Sequence, residues 1–196
     1  VARALGVPVK SVVLAAHLFV LGVVTGRTDV LTGLVTNGRP EEEDGERVLG
    51  LFLNTLPLRI RLTGGTWADL VRAVFEAEQA LLPHRHLPLA DVQRDAGAKA
   101  LFDVVFNYVH FHVYQGATGL DGLEVLDGSS FEQSNFALAA ECMIDLDTQR
   151  LRFLLGYDAR RLRAGDVEAL GACYAEVLRA VADEPQGRYE HFVPNA

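Results

Sequence analysis

Two polar side chains interrupt the apolar first half of the stretch "LGLFLNTLPLRIRL", residues 49–62. They are the amide of Asn54 and the hydroxyl of Thr55. A buried amide or hydroxyl without a hydrogen-bond partner costs roughly 1 to 3 kcal/mol. We therefore expect Asn54 and Thr55 either to hold a bend in the backbone through hydrogen bonds or to face a wet cavity in which a substrate binds.

Two histidine pairs form a second group with chemical potential. His84 and His86 lie two residues apart, as do His110 and His112, a spacing that would allow zinc ligation from a strand. Neither pair is accompanied by the cysteines or acidic partners typical of zinc sites. We therefore predict no metal site and interpret these residues as turn, core or interface histidines. His86 and Asp91 would suit an acid/base pair, but that spacing is common by chance.

His17 lies inside the longest apolar run, "VVLAAHLFVLGVV", residues 12–24. A lone histidine in such a run is more often a hydrogen-bonded core residue than a general base. The run is shorter than the roughly 20 residues that span a bilayer. We therefore predict a buried helix with a core histidine, and no membrane partner.

The residue patterns of several common enzyme classes are missing. A serine hydrolase would need Gly-x-Ser-x-Gly at a turn between a strand and a helix, and neither "VKSVV" nor "DGSSFEQS" supplies it. A phosphate-binding loop would need correctly spaced glycines followed by a helix, and "GATGLDG" does not match. The sequence therefore indicates neither a serine hydrolase nor a nucleotide-binding enzyme.

Composition and charge narrow the class of protein further. With 49% hydrophobic and 22% charged residues, the 196 residues are typical of one globular domain. The net charge of -8 offers no positive field for nucleic acid. Cys142 and Cys173 are interpreted as reduced core residues, which favours the cytoplasm. Because the chain starts at Val1 and not at methionine, we expect the natural protein to extend upstream.

The elements that must position these residues follow from hydrophobic periodicity. Helices are predicted at residues 9–24, 66–82 and 166–183. Strands are predicted at residues 30–38, 56–62, 100–114, 136–145 and 150–158. Thr66 and Asp69 form a predicted capping pair, and Asp166 is the predicted N-cap of the last helix. Residues 100–114 should be a central strand and the last two strands a hairpin around Asp147, so the predicted fold class is α/β.

Four segments in sequence order resemble the condensation domains of nonribosomal peptide synthetases. "LGLFLNTLPLRIRL" resembles a core motif in which an aromatic residue, an apolar residue and Asn-Thr precede a strand. The family's order is kept by "TGRTDVLTGLVTNGRPEE" before it, and by "HRHLPLADVQRDAGAKALFDVVFNY" and "SNFALAAECMIDLDTQRLRFLLGYDARRL" after it. Together the segments cover almost the whole chain, which makes chance agreement a poor explanation.

The resemblance implies a fold similar to chloramphenicol acetyltransferase, with two lobes in a V and a tunnel between them. Residues 1–196 would form most of the C-terminal lobe, a mixed β-sheet packed with helices. The family's catalytic signature, His-His-x-x-x-Asp-Gly, belongs to the N-terminal lobe, and no two histidines are adjacent in this chain. We therefore expect no catalytic residue here and expect the isolated chain to be inactive.

The resemblance also implies roles for segments and single residues. Residues 37–50 would be the floor loop under the tunnel, and residues 113–133 the latch that crosses to the other lobe. Ser134 would approach the acceptor amine, unless it is an ordinary serine before a strand, and Asn54 and Thr55 would help to bind substrate. The partners would be the N-terminal lobe and peptidyl carrier proteins, whose phosphopantetheine arms carry the substrates, while the chain itself binds no cofactor.

Two alternatives to an amide-forming lobe remain open. One is a related acyltransferase or a cyclisation variant, whereas epimerisation domains are disfavoured because their corresponding motif usually departs from Asn-Thr. The other is a non-catalytic module that docks carrier proteins, which would also account for a chain without a catalytic base.

Overall fold

The computed structural model describes residues 1–109, 134–145 and 148–194. The α-helices among them are α1 (Ala2–Leu5), α2 (Val9–Thr25), α3 (Trp67–Leu81), α4 (Leu89–Asp95) and α5 (Ala164–Asp183). The strands are β1 (Asp29–Asn37), β2 (Leu53–Arg61), β3 (Val104–Val109), β4 (Leu138–Ile144) and β5 (Leu151–Tyr157). The predicted mixed α/β class is confirmed. The predicted latch at residues 113–133 lies outside the described residues, as do His110, His112 and Asp147.

The strands form one sheet in the order β2-β1-β3-β4-β5. The central strand β3 runs parallel to both of its neighbours, whereas β1 with β2 and β4 with β5 are antiparallel pairs. The predicted central strand and the predicted hairpin pairing are therefore confirmed. Pro57 has no backbone N–H to donate, and it lies in β2 at an end of the sheet, where such a residue is tolerated.

The long helices α2, α3 and α5 pack on one face of the sheet. On β4, Ala140 and Cys142 belong to the core that these helices form, whereas the alternate residues Ala139, Glu141 and Met143 project to the other side. Paired residues on neighbouring strands keep the same alternation. We call the face opposite α2, α3 and α5 the open face.

A buried histidine joins three elements of the core. His17 of α2 is fully buried, with its Nδ1 2.8 Å from the Tyr174 hydroxyl of α5 and its Nε2 2.9 Å from the Thr32 hydroxyl of β1. Burial lowers the pKa of His17 to about 3, so its imidazole is neutral at physiological pH. The predicted hydrogen-bonded core histidine is confirmed.

The starts of two helices test the capping predictions. At α3 the Asp69 N–H donates to Thr66 Oγ1 at 3.1 Å and the Thr66 N–H donates to Asp69 Oδ2 at 3.0 Å, which confirms the capping pair. The predicted N-cap at Asp166 is wrong, because α5 begins at Ala164 with Arg163 as its N-cap. The Asp166 carboxylate instead accepts a hydrogen bond from Arg163 Nε at 2.9 Å, in the first turn of the helix.

Candidate functional site

Asn54 ties the start of β2 to a neighbouring loop. Its Nδ2 atom donates to the carbonyl oxygens of Arg85 at 3.1 Å and Leu87 at 2.7 Å, and its Oδ1 accepts from the Thr55 N–H at 2.9 Å. The amide therefore performs the first of the two tasks expected from the sequence, which is to hold the backbone. Asn54 thereby ties the loop at residues 85–87 to the start of β2.

Replacing Asn54 with alanine should lower the free energy of unfolding by about 1 to 2 kcal/mol, because two backbone carbonyls lose their donor. Thr55→Val is the matched control, since the Thr55 hydroxyl makes no hydrogen bond within the described part of the chain. We expect that variant to stay within about 0.5 kcal/mol of the parent protein. Urea unfolding followed by the fluorescence of Trp67, the single tryptophan, measures both. Equal stability of the two variants would contradict this assignment.

Thr55 begins a row of polar side chains that crosses the open face. It pairs with Val35 of β1, and Asn107 of β3 pairs with Glu141 of β4. The parallel register of β1 and β3 pairs Leu34 with Phe106, and extending it by one residue places Val35 beside Asn107. Adjacent strands lie about 4.8 Å apart, so Thr55 and Glu141 are separated by about 14 Å. We call Thr55, Asn107 and Glu141 the polar row.

Asn107 and Glu141 are the members of the polar row that sequence reasoning missed. Asn107 Nδ2 donates to Glu141 Oε1 at 3.4 Å, which is long for such a bond. Both side chains are half-buried. The available signal was a polar residue inside each of two apolar strands, "VVFNYV" and "LAAECMI". Such a signal identifies a polar position but not the partner across the sheet.

Ser134 lies away from the polar row. It is exposed and precedes β4, near the point where the Ala137 N–H donates to the Asp103 carbonyl before β3 begins. Asn54 instead pairs with Thr36 near the carboxyl end of β1. Because β1, β3 and β4 are parallel, Ser134 and Asn54 lie at opposite ends of the sheet. The structure therefore does not bring together all the residues predicted to bind substrate.

Arg39 helps to hold the loop between β1 and β2. Arg39 Nη1 donates to the carbonyl oxygens of Gly45 at 3.1 Å and Val48 at 2.7 Å. From this folded loop Leu49 and Leu51 project outward, 97% and 86% exposed. Neighbouring exposed leucines on a held loop are typical of a contact surface.

The remaining candidates that the structure describes show no catalytic geometry. His84 and His86 are both exposed. Among the described residues, no group of three or more His, Cys, Asp or Glu side chains is placed to hold a metal ion. Cys142 and Cys173 are buried free thiols, and burial raises the pKa of Cys142 to about 12, so that it is not a nucleophile at neutral pH.

None of the helices described has the length and apolar character needed to cross a membrane.

Comparison with known sequences identifies relatives along almost the whole chain. The family model of the condensation domain matches residues 1–193. The chain is 36% identical over 182 residues to AMB antimetabolite synthetase AmbE of Pseudomonas aeruginosa, and 28% identical over 193 residues to tyrocidine synthase 3 of Brevibacillus parabrevis. These alignments cover 92% and 94% of this chain but only 8% and 3% of the two synthetases. The chain therefore spans less than a tenth of either relative.

Solved structures share the fold at low sequence identity. The condensation domain of the monacolin K polyketide synthase MokA superposes with a TM-score of 0.79 at 20% identity, covering 96% of this chain and 44% of that one. The first condensation domain of the calcium-dependent antibiotic synthetase, solved with a substrate analogue, also gives 0.79 at 20% identity, covering 100% and 43%. The predicted chloramphenicol acetyltransferase-like α/β fold is confirmed. The chain belongs to the condensation-domain family of nonribosomal peptide synthetases, as the order of its four sequence segments predicts.

Proposed function

We propose that this chain is the C-terminal lobe of a condensation domain that forms an amide between a carrier-bound donor thioester and a carrier-bound acceptor amine. The observation that carries the proposal is the open face, which presents a polar row on the side of the sheet opposite the long helices. The alignment with only 43 to 44% of two solved condensation domains supports the presence of a second lobe. Residues 1–196 would form the lobe, with a floor loop at 37–50 and a latch at 113–133.

For amide formation from a thioester and an amine, the main task of this lobe would be to position the two reactants. The acceptor nitrogen attacks the thioester carbon and loses one proton as the C–N bond forms. The C–S bond breaks, and the donor arm leaves as a thiolate that takes up one proton to become the thiol. Holding the two reactants in contact and excluding water supply much of the acceleration in such a step. We assign no catalytic residue to this chain. The base or positioning histidine would come from the His-His-x-x-x-Asp-Gly signature of the N-terminal lobe.

The residues predicted to bind substrate take different parts in this proposal. The Thr55 hydroxyl, on the open face and without a partner in the described part of the chain, would hydrogen-bond to a substrate. Asn54 lies on the opposite face of β2 from Thr55 and would act indirectly, by holding residues 85–87 in place. Ser134, exposed at the amino end of β4, would approach the acceptor amine. The Leu49 and Leu51 surface of the floor loop would face the N-terminal lobe.

Peptidyl carrier proteins would be the mobile partners. Their phosphopantetheine arms would bring both substrates into the tunnel, so the lobe needs no cofactor of its own. We place the protein in the cytoplasm as part of this proposal, which the two buried free thiols support.

The test uses the intact two-lobed domain with donor-loaded and acceptor-loaded carrier proteins. Thr55→Val and Ser134→Ala should each slow dipeptidyl product formation about tenfold, the effect of losing one hydrogen bond worth roughly 1.4 kcal/mol. Thr148→Val, at an exposed position before β5, is the matched control and should leave the rate unchanged. Product is measured by mass spectrometry under single-turnover conditions.

The outcomes separate the proposal from its alternatives. Parental rates in both Thr55→Val and Ser134→Ala would remove these residues from the substrate site. Product formed by this chain alone would contradict the division of labour between lobes. Carrier binding by the intact domain without any amide product would favour the non-catalytic docking module.

A further inference from the structure

We propose that Asn107 and Glu141 form a recognition subsite for a cationic side chain, an ammonium or guanidinium group, on one of the two tethered substrates. The proposal rests on the proposed function, because it takes the open face as a wall of the substrate tunnel. It adds a specificity determinant that selects the chemical class of the substrate side chain.

The position of Glu141 argues against an ordinary solvated surface residue. Within β4 it pairs with Asn107 on one side and Leu154 on the other, so it stands inside the sheet and not at its edge. Its neighbours along the same face of β4 are the apolar Ala139 and Met143. The carboxylate is half-buried even before another lobe covers it.

Within the described residues, no cation compensates the charge of Glu141. In residues 1–109, 134–145 and 148–194, the carboxylate has one hydrogen bond, the 3.4 Å contact from Asn107, and no salt bridge. A carboxylate that is enclosed without a cation is strongly unfavourable, whereas a matched cation relieves the penalty. A neutral substrate would therefore leave Glu141 unpaired once the tunnel closes, and a cationic one would not.

The hydrogen-bonding capacity of the pair suits a cation. Asn107 uses one amide N–H toward Glu141, which leaves its Oδ1 and the second carboxylate oxygen as acceptors. Ammonium and guanidinium groups are donors only and carry at least three N–H bonds. The asparagine therefore orients the carboxylate and adds an acceptor beside it.

The distance along β4 indicates which part of the substrate is recognised. Three residues of strand, about 10 Å, separate Leu138 from Glu141, and Ser134 lies further back still. If Ser134 approaches the reacting amine, the group at Glu141 is a side chain remote from the bond that forms. Donor and acceptor both carry such side chains, and the experiment distinguishes these two sources.

The experiment uses the intact two-lobed domain with lysyl and norleucyl substrates, first as the donor and then as the acceptor. In one of these arms the parent should prefer lysine by about ten- to a hundredfold in rate at limiting substrate, the range expected for a charge-assisted hydrogen bond in a closed site. Glu141→Gln keeps the shape, and Asn107→Ala removes the orienting amide. Both should reduce that preference, with Glu141→Gln bringing it below about threefold.

The controls distinguish a failure of the cationic subsite from a failure of the proposed function. Glu168→Gln on the exposed surface of α5 makes the same chemical change elsewhere and should keep the full preference. No amide product with any substrate would overturn the proposed function. Product without a lysine preference in either arm, or an unchanged preference in Glu141→Gln, would overturn only the subsite. Equal loss with lysyl and norleucyl substrates would assign Glu141 to a lobe contact and would also overturn it.

Discussion

Replacing Lys10 with methionine is expected to lower the free energy of unfolding by about 3 kcal/mol. Lys10 Nζ lies 2.5 Å from Glu78 Oε1, and the two side chains are only 23% and 11% exposed. Among the described residues, removing the cation leaves the Glu78 carboxylate between α2 and α3 with the Ser11 hydroxyl, 3.1 Å from its other oxygen, as its remaining partner. Arg85 lines the same small cavity, but its Nη2 pairs with Glu41 at 3.2 Å, so it does not replace Lys10.

A double variant checks this explanation. Adding Glu78→Gln to Lys10→Met removes the orphaned charge while keeping an oxygen that accepts from Ser11, so most of the lost stability should return. Urea unfolding monitored by Trp67 fluorescence measures the parent, the single variants and the double variant. A double variant as unstable as the sum of the two single variants would show that charge pairing is not the cause.

Lowering the pH from 6.5 to 4.5 should lower the free energy of unfolding by about 2 to 3 kcal/mol. This range lies above the pH at which carboxylates titrate. Burial lowers the pKa of His17 from its ordinary value of 6.5 to about 3. Below about pH 6.5, His17 of the unfolded chain therefore binds a proton, whereas His17 of the folded chain stays neutral. This contribution to stability is complete above pH 6.5 and is lost as the pH falls toward 3.

His17→Gln isolates the histidine in the acid experiment. That variant should be less stable at pH 7, because the hydroxyls of Tyr174 and Thr32 lose their ring partner. Its stability should nevertheless change much less between pH 6.5 and pH 4.5. Salt-bridged carboxylates such as Asp158 and Glu190, whose arginine and backbone partners lower their pKa to about 2, lose their contribution only below about pH 4. A slope unchanged by His17→Gln would refute the assignment.

Much of the local structure is readable from short stretches of sequence. The Thr66–Asp69 capping pair, the alternation of Leu58 and Ile60 with Arg59, and the buried helix around His17 all depend on residues within a few positions of one another. Family membership is readable for a similar reason, since four segments keep their order along the chain. The incorrect N-cap prediction at Asp166 also concerns residues that are close in the chain. The sequence does not show that Arg163 donates a hydrogen bond to the Asp166 carboxylate.

The arrangement of the candidate site depends on contacts between residues that are far apart in the sequence. Asn107 and Glu141 are 34 positions apart and meet only because β3 and β4 pair in one register. A shift of one residue in that register would move either side chain to the opposite face of its strand. Sequence alone identifies the family, the strands, the three long helices and polar residues such as Thr55, but not the short helices α1 and α4. The tertiary structure alone decided that Thr55, Asn107 and Glu141 share a face while Ser134 lies at the far end of the sheet, because strand pairing joins residues that are distant in the chain.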